Sequence, residues 1–167
     1  EPIFRAYDDI YSDMVKNKST RFIFPTPDGK PFNHSAALEL SKIDNLIFLC
    51  GHYKGIDQRV RDELVTDEFS IGDFVVTGGE LPVCLMLDSI VRLIPDVLNN
   101  YESAKSDSFF TDLLDGPHYT RPENFRGLKV PNILLSGHHE NIKKWQKQQR
   151  ERKTQDRRPD LWKKYNN

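Results

Sequence analysis

Cysteine is scarce: two of the 167 residues, Cys50 and Cys84, lie far apart and each within an apolar run. There is no Cys-x-x-Cys pair, so neither a disulfide framework nor a cysteine-rich metal site is indicated. Two buried thiols in a reducing compartment are expected, which implies a cytoplasmic protein. Long apolar runs are also lacking. The best, "LPVCLMLDSIVRLIPDVL" (81–98), is broken by Pro82, Asp88, Arg92 and Pro95, so it reads as a buried amphipathic helix rather than a membrane span. No signal-peptide pattern opens the chain. The spacings of a dinucleotide fingerprint, a phosphate-binding P-loop and a serine-hydrolase elbow are absent. "HHENI" (138–142) fails as a zinc-protease helix because Lys143 stands where the second His belongs. The five histidines are scattered, and no metal site is expected.

What remains is a globular composition, 37% hydrophobic and 29% charged. That is enough for one sizeable core or a core with a small appendage. The net charge of −1 hides a segregation. Residues 1–120 carry 11 basic and 20 acidic side chains, a net of −9; residues 121–167 carry 13 and 5, a net of +8. A basic tail on an acidic body suits a polyanionic partner such as a nucleic acid, although a solvated charged helix has the same composition.

The elements alternate. Residues 2–16 set Ile3, Tyr7, Ile10, Tyr11 and Met14 near one helical face. "RFIF" (21–24) is a strand, stopped by the loop "PTPDGKP". Residues 34–43 form a helix capped by Asn33 or Ser35. "NLIFLCGHY" (45–53) reads as a strand covered on both faces, followed by a short helix at "RVRDELV". "SIGDFVVTG" (70–78) is the third strand, and residues 80–94 form the long apolar helix. This order implies an α/β fold with a parallel sheet between helices. From residue 99 the texture becomes polar and turn-rich, so a domain boundary is placed near 99–112. Residues 138–155 form a polar helix anchored by Ile142 and Trp145.

Three loops follow strand ends: "PTPDG" (25–29), "GHYKG" (51–55) and "TGGEL" (77–81). Ligands of open parallel sheets bind beyond the carboxyl ends of the strands, so the three loops are candidates for one backbone-lined pocket; ordinary turns are the alternative. The pair Gly78–Gly79, between strand and helix, marks a close approach of backbone to something. Arg92 lies one turn after Asp88, as a structural ion pair or a functional cation. Asp107 precedes "SFFTDLL", where the residue pattern alone favours a helix N-cap.

The segments "GHYKGIDQRV", "SIGDFVVTGGELP", "DSFFTDLLDGPHYTRP", "VPNILLSGHHENIKKW" and "RKTQDRRPDL" occur in the order seen in the TrmD family, the bacterial tRNA (guanine-N(1)-)-methyltransferases. The chain resembles that family from about residue 1 to about residue 161. The resemblance implies a SPOUT fold, a parallel α/β sheet with a deep trefoil knot, and a homodimer that shares its active sites. It implies a cofactor-binding domain over 1–98, a flexible lid over 99–112 and a small, mostly helical, basic tRNA-binding domain over 113–167. S-adenosylmethionine is the implied cofactor, held by Phe24, Pro25 and Thr26, by Gly51 and Tyr53, and by Ser70, Ile71, Gly72, Asp73, Phe74, Val75, Val76, Gly78 and Gly79. The implied substrate is the guanosine just 3′ of the tRNA anticodon. Asp107 falls on the family's catalytic Asp, overriding the N-cap reading, and Arg92 on its important Arg. Arg121, Arg157 and Arg158 fall in the part that grips tRNA.

Departures from the pattern accompany the resemblance. An N-terminal strand and a Gly-rich "YGGG"-type segment of the family are not in this chain, and it stops soon after "RRPDLW". Lys54 stands where many members have a Glu connected with Mg²⁺, so Mg²⁺ is a family cofactor whose place is open here. The alternative expectation is an inactive cofactor- or RNA-binding fragment.

Overall fold

The structure, a computed structural model, describes residues 1–14, 18–52, 54–97 and 107–167. The chain divides into two compact units, Glu1–Asn99 and Asn100–Asn167.

In the first unit helices and strands alternate: α1 (Pro2–Met14), β1 (Thr20–Pro31), α2 (His34–Leu40), β2 (Asn45–Phe48), α3 (Gln58–Glu63), β3 (Asp67–Ser70) and α4 (Glu80–Val91). The strands form a parallel sheet in the order β2–β1–β3. Parallel neighbours need crossovers, which here contain α2 and α3. Side chains of a strand alternate between faces, and β1 uses both. Ile23 is fully buried in a cluster with Ala37 and Leu40 of α2, Met86 and Ile90 of α4, and Leu93. On the opposite face, the Phe22 ring lies 5.0 Å from Tyr7 of α1, and the Arg61 guanidinium lies 5.6 Å from the Phe24 ring. Helix α2 starts at Asn33, whose side chain accepts from the Ala36 N–H at 3.0 Å, so Asn33 rather than Ser35 is the cap.

Three elements differ from the sequence expectation. The strand expected at 45–53 ends at Phe48, and its residues are half-buried because β2 is the edge of this sheet. The strand expected at 70–78 lies earlier, at Asp67–Ser70. Gly72, at φ +148°, turns the chain away from β geometry, and the apolar residues after it form a loop. The loop expected at 25–31 is instead an excursion within β1. Pro25 and Lys30 both face Phe69 in the ladder, so residues 26–29 bulge out between them. A bulge removes Pro27 from ladder positions that need an N–H.

Two devices hold this bulge. A Cβ on Gly29 would lie 2.7 Å from the Glu68 carbonyl carbon and the Phe69 nitrogen, so only glycine permits the approach. Arg61 of α3 then spans the gap. Its Nε donates to Glu68 at 2.6 Å, and its terminal nitrogen donates to Glu68 at 2.7 Å and to Asp28 at 2.8 Å. Helix α4 begins at Gly79 and tolerates Pro82 in its first turn, where the missing N–H has no helical partner to lose. It ends three residues earlier than expected, at Val91. The Leu93 and Ile94 amides tighten to i−3 carbonyls at 3.0 and 3.1 Å, consistent with Pro95 blocking further helix.

The second unit contains turns at 107–113, a hairpin of β4 (Asn124–Phe125) and β5 (Leu128–Lys129), and α5 (Asn132–Leu135), α6 (His139–Arg157) and α7 (Pro159–Tyr165). Ile142 and Trp145 are half-buried, but the fully buried residue of α6 is Thr154. Its hydroxyl donates to the Arg150 carbonyl at 2.7 Å and accepts from the Leu114 N–H at 2.8 Å. Arg150 donates to the Leu114 carbonyl at 3.2 Å and Lys153 to that of Asp115 at 2.8 Å. The strap at 114–115 is thus pinned to a polar helix by hydrogen bonds more than by apolar burial.

Arg61→Ala is expected to destabilise the protein by about 2 kcal/mol, the scale of bidentate hydrogen bonds between charged groups. Arg61→Lys should recover only part, since one ammonium cannot reproduce the fork. Urea unfolding measures both. The hydrogen bond from Thr26, then that from Arg61, holds the Asp28 carboxyl below its ordinary value. Its stabilisation is therefore complete above the ordinary Asp range and is lost as pH falls through the depressed folded value. Asp28→Asn should flatten that part of the acid limb in a pH series of unfolding curves.

Candidate ligand cleft

The bulge of β1 and the loops that leave β2 and β3 lie on one edge of the sheet and enclose a cleft of about 390 Å³. The first loop supplies Phe24, Pro25, Thr26 and Pro27; the second Gly51, Lys54 and Gly55; the third runs from Ser70 to Gly79 and adds Ile71, Phe74, Val75, Val76, Thr77 and Gly78. Phe69 and Pro82 complete the lining.

Local bonds shape each loop. The Ser70 hydroxyl donates to the Gly72 carbonyl at 3.0 Å and accepts from the Gly72 N–H at 3.2 Å. This small ring closes the chain just after β3. Thr26 donates to Asp28 within the first loop. The second and third loops meet at Gly79, whose N–H donates to the Gly51 carbonyl at 2.9 Å. A Cβ on Gly79 would stand 2.8 Å from the Cys50 Cα and 3.0 Å from the Gly51 nitrogen. Gly79 therefore admits a neighbouring backbone, whereas Gly78 leaves room for the Glu80 and His52 side chains. His52 and Glu80 join the same loops through a contact of 2.5 Å. The backbone N–H of Glu80, then His52, holds that carboxyl below its ordinary value. Burial, with Glu80 and Cys84 nearby, pushes the Cys50 thiol up; Cys50 is half-buried and Cys84 exposed, so the two buried thiols expected from the sequence are not found.

Of the residues expected to hold a ligand, Phe24, Pro25, Thr26, Gly51, Ser70, Ile71, Phe74, Val75, Val76, Gly78 and Gly79 line this one cleft. Gly72 and Asp73 belong to the same loop but not to the lining. Tyr53 and residues 99–106 of the expected lid lie outside the described residues. Arg92 is the exposed C-cap of α4 rather than a residue inside the helix. Asp107 is half-buried at a bend of the second unit, and turns rather than a helix follow it. Arg121 and Arg157 are exposed. Arg158 donates to Asp160 at 2.8 and 2.5 Å, holding that carboxyl at about 2, and lies 5.9 Å from the Phe109 ring. Sequence reasoning missed the His52–Glu80 contact. Its signal was a pair of opposite-tending side chains, each beside a loop glycine.

Among the described residues the wall is mostly apolar side chain and glycine backbone, with Lys54 as its charged member and no carboxylate. Such a lining fits a ligand that pairs with backbone polar groups and packs a flat apolar part. It does not fit Mg²⁺, which needs oxygen ligands, usually carboxylates. Among the described residues no group of three or more His, Cys, Asp or Glu side chains is placed to hold a metal ion. No helix among them is long and apolar enough to cross a membrane.

A parallel α/β unit with a cleft at one sheet edge shares its chain with a unit that carries most of the basic residues. The family model described as tRNA (Guanine-1)-methyltransferase TrmD matches residues 1–164, and the chain belongs to that family. Curated proteins named tRNA (guanine-N(1)-)-methyltransferase from Staphylococcus aureus strains JH9, Newman and NCTC 8325 are 53% identical to it over 165 residues. The alignment covers 99% of this chain and 66% of each relative.

Gly79→Ala is expected to cost about 1–3 kcal/mol, the range for inserting a methyl where backbone must shift. Gly55→Ala, with nothing within 4 Å of its Cβ, serves as the control and should change stability little. Paired thermal unfolding curves distinguish the two.

Proposed function

We propose that this chain transfers a methyl group from S-adenosylmethionine to nitrogen 1 of the guanosine 3′ of the tRNA anticodon. The observation that carries the reading is the convergence of the β1 bulge and the loops after β2 and β3 on one cleft in a member of this family. Phe24, Gly51, Ile71 and Val76 pack and bound the cofactor, and the loop backbone around Gly78 pairs with its polar groups. The cofactor, when bound, supplies a methyl already activated by its sulfonium, so the protein's work is alignment and charge control. Guanine nitrogen 1 carries a proton at neutral pH and is a poor nucleophile. Asp107 removes that proton as general base. Negative charge then grows on the guanine oxygen, where the Arg92 guanidinium stabilises it. The basic second unit, with Arg121, Arg157 and Arg158, holds tRNA phosphates and makes binding salt-dependent. No step runs through Mg²⁺.

The same reading assigns the first unit to the SPOUT class, with its trefoil knot where the third loop and α4 pass the second loop. The backbone approach of Gly79 to Cys50–Gly51 supports that crossing. It assigns residues 1–98 to cofactor binding, 99–112 to a lid and 113–167 to tRNA binding. A homodimer accounts for the apolar surface of α4 and the third loop. Leu81 is 67% exposed, Leu85 58% and Val75 81%, an arrangement that favours burial against a second copy.

Methyl transfer to an unmodified tRNA transcript with guanosine 3′ of the anticodon tests the reading. Asp107→Ala should lower transfer at least a hundredfold, the scale of general-base loss, while calorimetry still detects S-adenosylmethionine binding. Loss of cofactor binding in that variant contradicts the assigned role, and cofactor binding by the unaltered chain without transfer leaves it a binding module. Leu85→Asp should convert a dimer to monomers in sedimentation, with loss of transfer. A fully active monomer would remove the shared-site reading.

A further inference from the structure

The β4–β5 hairpin in the second unit carries chemistry that the cleft does not use. Asn124 pairs with Lys129 and Phe125 with Leu128. Arg126 and Gly127 form the tip at φ +54° and +81°, the geometry of a tight two-residue hairpin turn. Directly opposed residues of an antiparallel pair share a face, so Phe125 and Leu128 stand together. Both face solvent: Phe125 is 57% exposed and Leu128 76%. Two-residue strands have little stability of their own, and an apolar pair displayed on them gives no core in return. Beside the ring is a cation, with the Arg126 guanidinium 5.2 Å from its centroid. Arg121 and Lys129 add positive charge against Glu123 over the same stretch, in a segment with 13 basic and 5 acidic residues from 121 to 167.

We propose that this hairpin is a stacking platform for an unpaired RNA base, with Phe125 as the stacking ring and Arg126 and Lys129 as partners of the flanking phosphates. An exposed aromatic face inside a positive surface is the arrangement that binds single strands, because every base has a π-face and every nucleotide a phosphate. A purely phosphate-binding surface needs no aromatic ring, and a purely apolar docking face needs no concentrated positive charge. The inference rests on the RNA-directed reading above and extends it: the second unit grips unpaired loop nucleotides as well as backbone charge.

The test uses the whole chain and three RNAs: the unmodified tRNA transcript, its isolated anticodon stem-loop and a blunt duplex of similar length. Phe125→Ala should weaken binding to the first two roughly tenfold, the scale of one lost stack, and leave duplex binding unchanged. Phe125→Trp should restore loop binding and Phe125→Leu should not, since leucine supplies apolar area without a π-face. Lys129→Ala should instead lower affinity for all three RNAs and reduce the salt slope by about one. Thermal unfolding checks that the exposed substitutions leave the fold intact. Unchanged loop binding in Phe125→Ala, or rescue by leucine, overturns the platform alone. A change in sedimentation without a change in RNA affinity assigns the face to a second copy and also overturns it. If the unaltered chain binds none of the RNAs, the platform and the RNA-directed reading both fall. If it binds them through Phe125 but transfers no methyl, the platform stands and the methyl-transfer reading falls.

Discussion

Strand β1 leaves its ladder with β3 after Pro25 and rejoins it at Lys30, and the cleft is a consequence. A central strand cannot shed four residues without two kinds of compensation. One is steric, and Gly29 meets it by letting the chain lie against the Glu68–Phe69 backbone. The other is polar, and Arg61 meets it by joining Glu68 of β3 to Asp28 of the bulge while its guanidinium lies by Phe24. With the bulge pinned, Phe24 to Pro27 form one wall. The other walls follow from parallel pairing, because strands that run the same way release their loops on the same edge. The contact of Gly79 with Cys50–Gly51 then draws the second and third loops together. Backbone proximity, rather than any charged cluster, is what makes this site.

The two units solve their packing problems differently. The first buries Ile23, Met86 and Ile90 almost completely between sheet and helices. The second has only Ile142 and Trp145 as large apolar residues along α6 and uses Thr154, Arg150 and Lys153 to hold the 114–115 strap. Part of the basic charge of the tail is therefore engaged in structure. Arg158 illustrates the same division, since Asp160 and Phe109 already contact the side chain that the family resemblance assigns to tRNA. Basic composition alone overstates how many of these cations face a partner.

The alternation of helices and strands was legible because each apolar run has a length and period that suit one element. Asn33, one of two candidate caps, starts α2, whereas α4 stops at Val91, short of the expected residue 94. Strand ends were less legible. "SIGDFVVTG" has the composition of a strand, with a β-branched pair and an aromatic ring, yet it is a loop. The backbone at Gly72 and the Ser70 ring of hydrogen bonds outweigh local β preference. "PTPDGKP" misled in the opposite direction, since its prolines and Asp-Gly pair describe the bulge but hide the strand that continues beyond it.

Residue chemistry along the chain was enough to determine the alternating α/β order, the separation of an acidic body from a basic tail and the segments that supply the candidate loops. Those properties depend on neighbours within a few residues or on sums over a segment. The meaning of Gly78–Gly79, the bridge made by Arg61 and the exposure of Phe125 were decided by tertiary structure. Each depends on which distant backbone or side chain comes within a few ångströms, and no local period encodes that.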